Sequence, residues 1–371
     1  MKTTNVWGRL MPTKPLSFGR VVLAICSALF VLACVAQPSA ASPRTEREGL
    51  WVLASGSTAH VARELIEGFS TSYQVPARPR IDILPTPQAF DAFCSGLGGT
   101  TPDIFITSRR ATPAARDYCR RNGVTEIVEA QIGIGSLVLA TKNGDPLNAL
   151  SSEEVWRAIG AEVVRGDEFV VNRARTWREV SPGLPNSEIR LVTGPSGGSS
   201  RSYFESLVLE AGCRHHPTIM LIFEAAYRRS KCVTMRQDGR IVERRVEDIP
   251  GEILRAPPGT IGTVTLAQVR ASGGTLAAVK LDDVTPSNAS IAALDYLPTF
   301  NVFLYAKRQH SRATSGVGVV RGIREFSTFA VSEQVSGPDG RLSTNTGLVA
   351  LSPDERVKQR RAVANQTIMP R

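Results

Sequence analysis

The stretch Thr193-Gly194-Pro195-Ser196-Gly197-Gly198-Ser199-Ser200-Arg201 lies between a strand-like run, Glu188–Val192, and a helix-like run, Ser202–Glu210. It sets three glycines, three serines and an arginine at a helix N-terminus. Glycine lets the backbone approach a ligand. The first helical N–H groups lack internal partners, and the helix dipole is positive there. Serine adds single donors and arginine a planar fork, a set that suits a tetrahedral oxyanion such as phosphate. A capped helix after a flexible loop has the same signature. The segment Gly194-Pro195-Ser196-Gly197-Gly198 also satisfies GxSxG between strand and helix, as a serine-hydrolase nucleophile elbow would. Ser196 would then need His310 as base and Asp295 as acid. Six Gly or Ser residues in nine meet that pattern by chance, and none of the four histidines, His60, His215, His216 and His310, carries a local signature of a base.

Alternating elements must position these groups. Leu50–Ala54 reads as a strand. Ala59, Val61, Ala62, Leu65, Ile66 and Phe69 follow at helical spacing, with Thr58 at the N-cap. Arg80–Leu84 and Asp103–Thr107 are further strands. Each leads to a helix, the first through Phe90 and Phe93 and the second over Pro113–Asn122. Gly133–Thr141 reads as one strand and Ser151–Ile159 as a helix, while Gly166–Asn186 is less regular. Residues 228–245 are basic and polar and read as a solvated surface segment. Thr260–Val264, Thr275–Lys280 and Phe300–Ala306 are strand candidates, and Val317–Ser332 and Asp354–Ala364 helix candidates. Repeated βα units predict an α/β fold with a parallel or mixed sheet between helices. Ser55-Gly56-Ser57-Thr58, Thr86 and Thr107-Ser108-Arg109 all stand at strand-to-helix junctions. With the Ser/Gly loop they make four, and ligands of open α/β sheets bind at the carboxyl ends of strands.

Lys2, Arg9, Lys14 and Arg20 precede the apolar run Val21–Ala36, and Ser39-Ala40-Ala41 fits a small-x-small cleavage site. Residues 1–41 are therefore expected to be an export signal and the mature protein periplasmic. A retained anchor helix is one alternative, although the run is short for a span. Val31-Leu32-Ala33-Cys34 offers another, lipidation at Cys34. Without those four cations the net charge falls from +10 to +6, a modest excess that does not argue for nucleic acid. Cys94, Cys119, Cys213 and Cys232 remain after cleavage and allow three pairings. Export favours disulfides, and proximity favours Cys94–Cys119 and Cys213–Cys232. Cys213-Arg214-His215-His216 lacks zinc spacing, so neither a metal nor a cofactor is expected.

Taken in order, several segments resemble the periplasmic phosphate-binding subunits of bacterial phosphate ABC importers. They are Gly56-Ser57-Thr58, then Phe93-Cys94-Ser95-Gly96 leading into Thr101-Pro102-Asp103-Ile104, then Thr107-Ser108-Arg109-Arg110. Cys119 with Asn122-Gly123-Val124, Gly194 through Arg201 with Phe204, and Glu210-Ala211-Gly212-Cys213 follow. Lys231-Cys232, Arg236-Gln237-Asp238-Gly239, Pro258-Gly259-Thr260-Ile261-Gly262 and Gly347-Leu348-Val349-Ala350-Leu351 complete the series. The resemblance implies a monomeric two-lobed periplasmic binding protein with two chain crossings between its lobes. Lobe 1 would take 42–138 and 306–371, and lobe 2 would take 139–305, with the hinge near Val138 and Phe303. By position it assigns ligand contacts to Ser57, Thr58, the Ala59 amide, Thr86, Ser108, Arg109, Gly198, Ser199, Ser200 and Arg201. The implied ligand is inorganic phosphate or a related oxyanion, and the implied partner a membrane ABC permease. The family usually has Ser-Gly-Thr-Arg where this chain has Gly198-Ser199-Ser200-Arg201. Pro85-Thr86-Pro87-Gln88 stands for a Gly-rich turn and removes two backbone donors. No acid stands near Ser108, where some members accept a proton from the ligand. A degenerate fold serving as a sensor or interaction module is the alternative these departures leave open.

Overall fold

The computed structural model describes residues 47, 49–73, 77–311 and 320–370. The expected export segment, with Cys26 and Cys34, lies outside the described residues. In the strand Trp51–Ser55, Val52 and Ala54 join one apolar cluster and Leu53 another. The same division sends Ile104 and Ile106 to the first and Phe105 to the second, then Val302 and Leu304 to the first and Phe303 and Tyr305 to the second. Strand side chains alternate between faces, so apolar residues at every position demand cover on both sides. Helix Ala59–Ser72 covers one face through Val61, Leu65 and Phe69, joined by Phe326 of helix Ile323–Ala330. Helix Thr86–Phe93 covers the other through Ala89 and Phe93. This is the α/β layering expected from the repeated units.

Two five-stranded sheets result. The first runs Arg80–Leu84, Trp51–Ser55, Ile104–Thr107, Thr299–Lys307, Ile127–Ser136. Its first three strands are parallel, and Thr299–Lys307 is antiparallel to both of its neighbours. The second runs Ile241–Glu243, Arg190–Thr193, Thr260–Val264, Val138–Lys142, Leu276–Ala278. Here too three parallel strands are followed by antiparallel ones. Below, the halves built on these sheets are lobe 1 and lobe 2. Trp156, Trp177 and Phe204 are fully buried in the lobe 2 core.

The expected single strand Gly133–Thr141 is two strands in different sheets, Ile127–Ser136 and Val138–Lys142. Leu137 is the crossing, and its side chain is buried, so an unbroken apolar run hides the change of sheet. The return crossing precedes Thr299, because Thr299–Lys307 belongs wholly to the first sheet. The expected boundary at 305/306 falls inside that strand. The two crossings are bonded together: the Leu137 amide donates to the Pro298 carbonyl (2.9 Å) and the Tyr296 hydroxyl to the Leu137 carbonyl (3.0 Å).

Cys94 is joined to Cys119 and Cys213 to Cys232. Residues 228–245 are not uniformly solvated. Cys232 and Arg236 are buried, Arg236 donates to the Ala158 carbonyl (2.9 Å) and pairs with Asp238 (2.6 Å), and Ile241–Glu243 is a sheet strand. The region 166–186 contains the end of a hairpin, Glu162–Arg165 with Glu168–Val171, and the short helix Trp177–Val180. Among the described residues no helix is long and apolar enough to cross a membrane.

A buried polar cluster stands at the amino ends of the parallel strands of lobe 1. Asp103 accepts from the Trp51 amide (2.7 Å) and from His310 Nδ1 (2.7 Å), and it pairs with Arg47. The Gly98 amide donates to His310 Nε2 (3.1 Å). Lys307 donates to the Gly96 carbonyl (2.7 Å) and the Thr101 hydroxyl (3.1 Å). Burial holds Lys307 down to about 7, with Asp103 opposing the drop and Arg47 adding to it. Its folded value lies below the ordinary 10.5, so the unfolded chain binds more protons between these limits. Stability should therefore rise with pH from about 7 towards 10.5 and gain nothing from this group below 7. Unfolding free energies measured by urea across that window should show a smaller slope in Lys307→Met than in the parent. Equal slopes would mean that Lys307 stays charged when folded.

Candidate functional site

The opposite, carboxyl ends of the lobe 1 strands carry the hydroxyls. After Ser55 the chain makes one tight turn, Gly56–Thr58, into helix Ala59–Ser72. Such a turn closes by an i→i+3 bond, here from the Ala59 amide to the Gly56 carbonyl. Thr58 is buried and its hydroxyl donates to the Ile106 carbonyl (2.8 Å), tying two strand ends together. It makes no capping bond to its helix. The expected contributions of the Thr58 hydroxyl and the Ala59 amide are thus already committed within the fold. Ser57 is the hydroxyl this turn presents. Its Oγ lies 2.9 Å from Ser108 Oγ, which follows the adjacent strand Ile104–Thr107, and 3.2 Å from Ser55 Oγ.

Arg109 is exposed, and among the described residues its guanidinium pairs with no carboxylate. Its neighbour Arg110 does pair, with Glu129 at 2.9 Å. Thr86 is half-buried and opens helix Thr86–Phe93 after Pro85, with no hydrogen bond joining it to Ser57 or Ser108 among the described residues.

From lobe 2, Gly197 takes a left-handed φ of 76° and Gly198 caps a helix that begins at Ser199, earlier than expected. The helix continues through a wider turn, Glu205–Leu209, to Cys213. Ser199 reaches lobe 1: a Cβ on Gly56 would stand 2.9 Å from Ser199 Oγ, so the absence of a side chain at Gly56 permits the approach. Ser200 is half-buried beside it. Arg201 is placed differently from the free donor expected. It is buried, and it donates to Glu205 on its own helix (2.9 Å) and to Glu243 on the adjacent strand (3.3 Å). A guanidinium withdrawn from water requires such partners.

Sequence reasoning passed over Tyr203 and its contact with Phe300. The two rings stack at 4.2 Å with planes 5° apart. Burial raises the pKa of the Tyr203 phenol, and the nearby Ser108 and Ser57 hydroxyls and the Arg109 charge pull it back. Phe300 lies across Gly135, where any Cβ would overlap its ring. The available signal was an aromatic with a polar tip in the first turns of the Ser/Gly-loop helix.

The assembled groups are the hydroxyls of Ser57, Ser108 and Tyr203, then Ser199, and the Arg109 guanidinium. They are donors and a cation, and no base adjoins a nucleophile. Both ring nitrogens of His310 are engaged at the far end of the sheet, with Asp103 rather than Asp295 as its carboxylate. Ser196 is exposed at its loop tip. The hydrolase constellation is therefore not assembled. Among the described residues no group of three or more His, Cys, Asp or Glu could hold a metal.

A family model described as the PBP superfamily domain matches residues 39–334. A solved structure described as a possible phosphate binding protein from Planctomyces limnophilus has 16% identity and a TM-score of 0.59, covering 87% of this chain and 100% of that one. A phosphate-binding protein from Stenotrophomonas maltophilia has 12% identity and a TM-score of 0.54, covering 85% and 94%. An ABC-type phosphate transport receptor from Vibrio cholerae has 14% identity and a TM-score of 0.52, covering 81% and 99%. At these identities the likeness is one of fold. No curated protein matches.

Removing Arg201 would strand two carboxylates. Arg201→Ala should lower stability by between the ~1 kcal/mol of an exposed pair and the ~3 kcal/mol of a buried one. A urea midpoint equal to the parent's would show that the two ion pairs contribute nothing.

Proposed function

Because the chain belongs to the PBP superfamily, we propose that it is an exported solute-binding protein that captures phosphate or a related tetrahedral oxyanion between its lobes for an ABC importer. One observation carries this reading. The Ser57 and Ser108 hydroxyls meet at the carboxyl ends of adjacent parallel strands, beside Arg109, which pairs with no carboxylate among the described residues, and the helix bearing Ser199 approaches them from the other lobe. That is the place where an open α/β sheet binds ligands. The phosphate-related descriptions of the three solved relatives support the choice of oxyanion. Two disulfides support a mature protein in the oxidising periplasm. The partner would be a membrane permease.

The mechanism is capture by donors. A tetrahedral oxyanion accepts hydrogen bonds at several oxygens, and Ser57, Ser108 and Ser199 offer donors from both lobes. Arg109 supplies the charge. Arg201 would act indirectly, since its ion pairs with Glu205 and Glu243 hold the start of the helix in place.

Calorimetric titration with phosphate and with sulfate tests the reading. A charge-assisted hydrogen bond contributes about 1.5–3 kcal/mol, so Arg109→Ala should weaken binding roughly tenfold to a hundredfold. No heat from the parent protein with either anion would sink the reading. An Arg109→Ala variant that binds as the parent does would remove Arg109 from the site.

A further inference from the structure

Beyond Cys213, where the Ser199 helix ends, lobe 2 carries a loop between the short helix Pro217–Met220 and the helix Ala225–Val233. Met220, Leu221, Ile222 and Phe223 follow one another there. Phe223 is 94% exposed and Leu221 71%, and Met220 and Tyr227 are exposed beside them in sequence. A single exposed apolar side chain is ordinary, but a contiguous group marks a surface that meets something.

The tip is braced. Ile219 is fully buried in the lobe 2 core, and the Cys213–Cys232 disulfide ties the flanks together. The Met220 amide donates to the His216 carbonyl (3.3 Å) and the Ile222 amide to the Ile219 carbonyl (3.1 Å). Arg228 Nη1 donates to the Ile222 carbonyl (2.6 Å). The Glu224 carboxylate accepts from the Ala226 amide (2.9 Å) and the Tyr227 amide. These polar groups are satisfied within the tip itself, which lowers the cost of taking it out of water.

Size and charge select the partner. A specific protein interface engages about 20–30 residues a side, far more than residues 220–227 present. A lipid interface takes up whichever apolar side chains reach it. Residues 214–231 carry Arg214, Arg228, Arg229 and Lys231 against Glu224 alone. Arg229 pairs with Glu210 and Lys231 with Glu162. Arg214 and Arg228 pair with no carboxylate among the described residues, and Arg214 is exposed. Apolar side chains flanked by such cations complement an anionic lipid surface.

We propose that the Met220–Phe223 tip is a membrane-docking element that inserts its apolar side chains into an anionic lipid surface, with Arg214 and Arg228 supplying the charge. The tip follows the end of the helix opposite to Ser199, so docking does not occupy the serine pair. The proposal does not depend on the anion-binding reading above.

Sedimentation with vesicles tests it, using phosphatidylcholine alone and phosphatidylcholine mixed with phosphatidylglycerol. The chain is expressed with Cys34→Ser, so that no acyl chain contributes, and is taken from the soluble fraction. The parent should bind the mixed vesicles roughly tenfold or more tighter than the neutral ones, as two uncompensated cations require. Leu221→Ser combined with Phe223→Ser should weaken binding to the mixed vesicles at least about tenfold, with far-ultraviolet circular dichroism unchanged. Phe223→Trp should keep the binding, and its emission, after subtraction of the parent's, should shift to the blue on the mixed vesicles. Absence of binding to either vesicle, equal binding by the double-serine variant, or an unshifted emission overturns the proposal. A parent that is dimeric by light scattering while the double-serine variant is monomeric overturns it too, because a second copy then covers the tip.

Discussion

Two hydrogen bonds at one residue hold the architecture in register. Leu137 gives its amide to Pro298 and takes the Tyr296 hydroxyl on its carbonyl, at the point where the chain leaves one sheet and returns to it. Both crossings are therefore fixed to each other rather than wandering as separate linkers. Buried backbone groups must find partners, and here they find them across the crossing. The consequence is positional. The Ser57 and Ser108 junctions in one lobe and the Ser199 helix in the other face each other because their sheets are tied at this place.

The two arginines of the Ser108 and Ser199 segments show how burial decides role. Arg201 is withdrawn from water and held by two carboxylates. Charge so committed contributes to helix placement more than to a ligand's field. Arg109 remains exposed beside the serine pair, with its charge uncompensated by any carboxylate among the described residues. On the reading proposed above, an anion would gain most from this exposed cation.

Lobe 1 also separates its two ends by chemistry. The amino ends of its parallel strands hold Asp103, His310, Lys307 and Arg47 in a closed network of ion pairs and backbone bonds. The carboxyl ends hold small neutral hydroxyls. Buried charges need complete pairing, which leaves little to offer a ligand. Hydroxyls can exchange one partner for another at small cost, which is why the binding proposed above is placed at that end, beside Arg109.

Much of the fold was readable from local signals. Periodic apolar residues located Ala59–Ser72 because Val61, Leu65, Ile66 and Phe69 turn one face to the core along the helix. The hydroxyls at strand ends were readable too, since junction chemistry is local. What failed was what depends on distant residues. Gly133–Thr141 read as one strand because Leu137 is as apolar as its neighbours, and only pairing with two different sheets divides it. Thr58 and Arg201 carried the right chemistry for an anion, but the Ile106 carbonyl and Glu243, far off in sequence, claim them first. Tyr203 meets Phe300, nearly a hundred residues away in sequence, only in the folded chain. Residue types set what each group could do, and tertiary packing decided which groups were still free to do it, because a donor bonded inside the fold can reach a ligand only by giving up that bond.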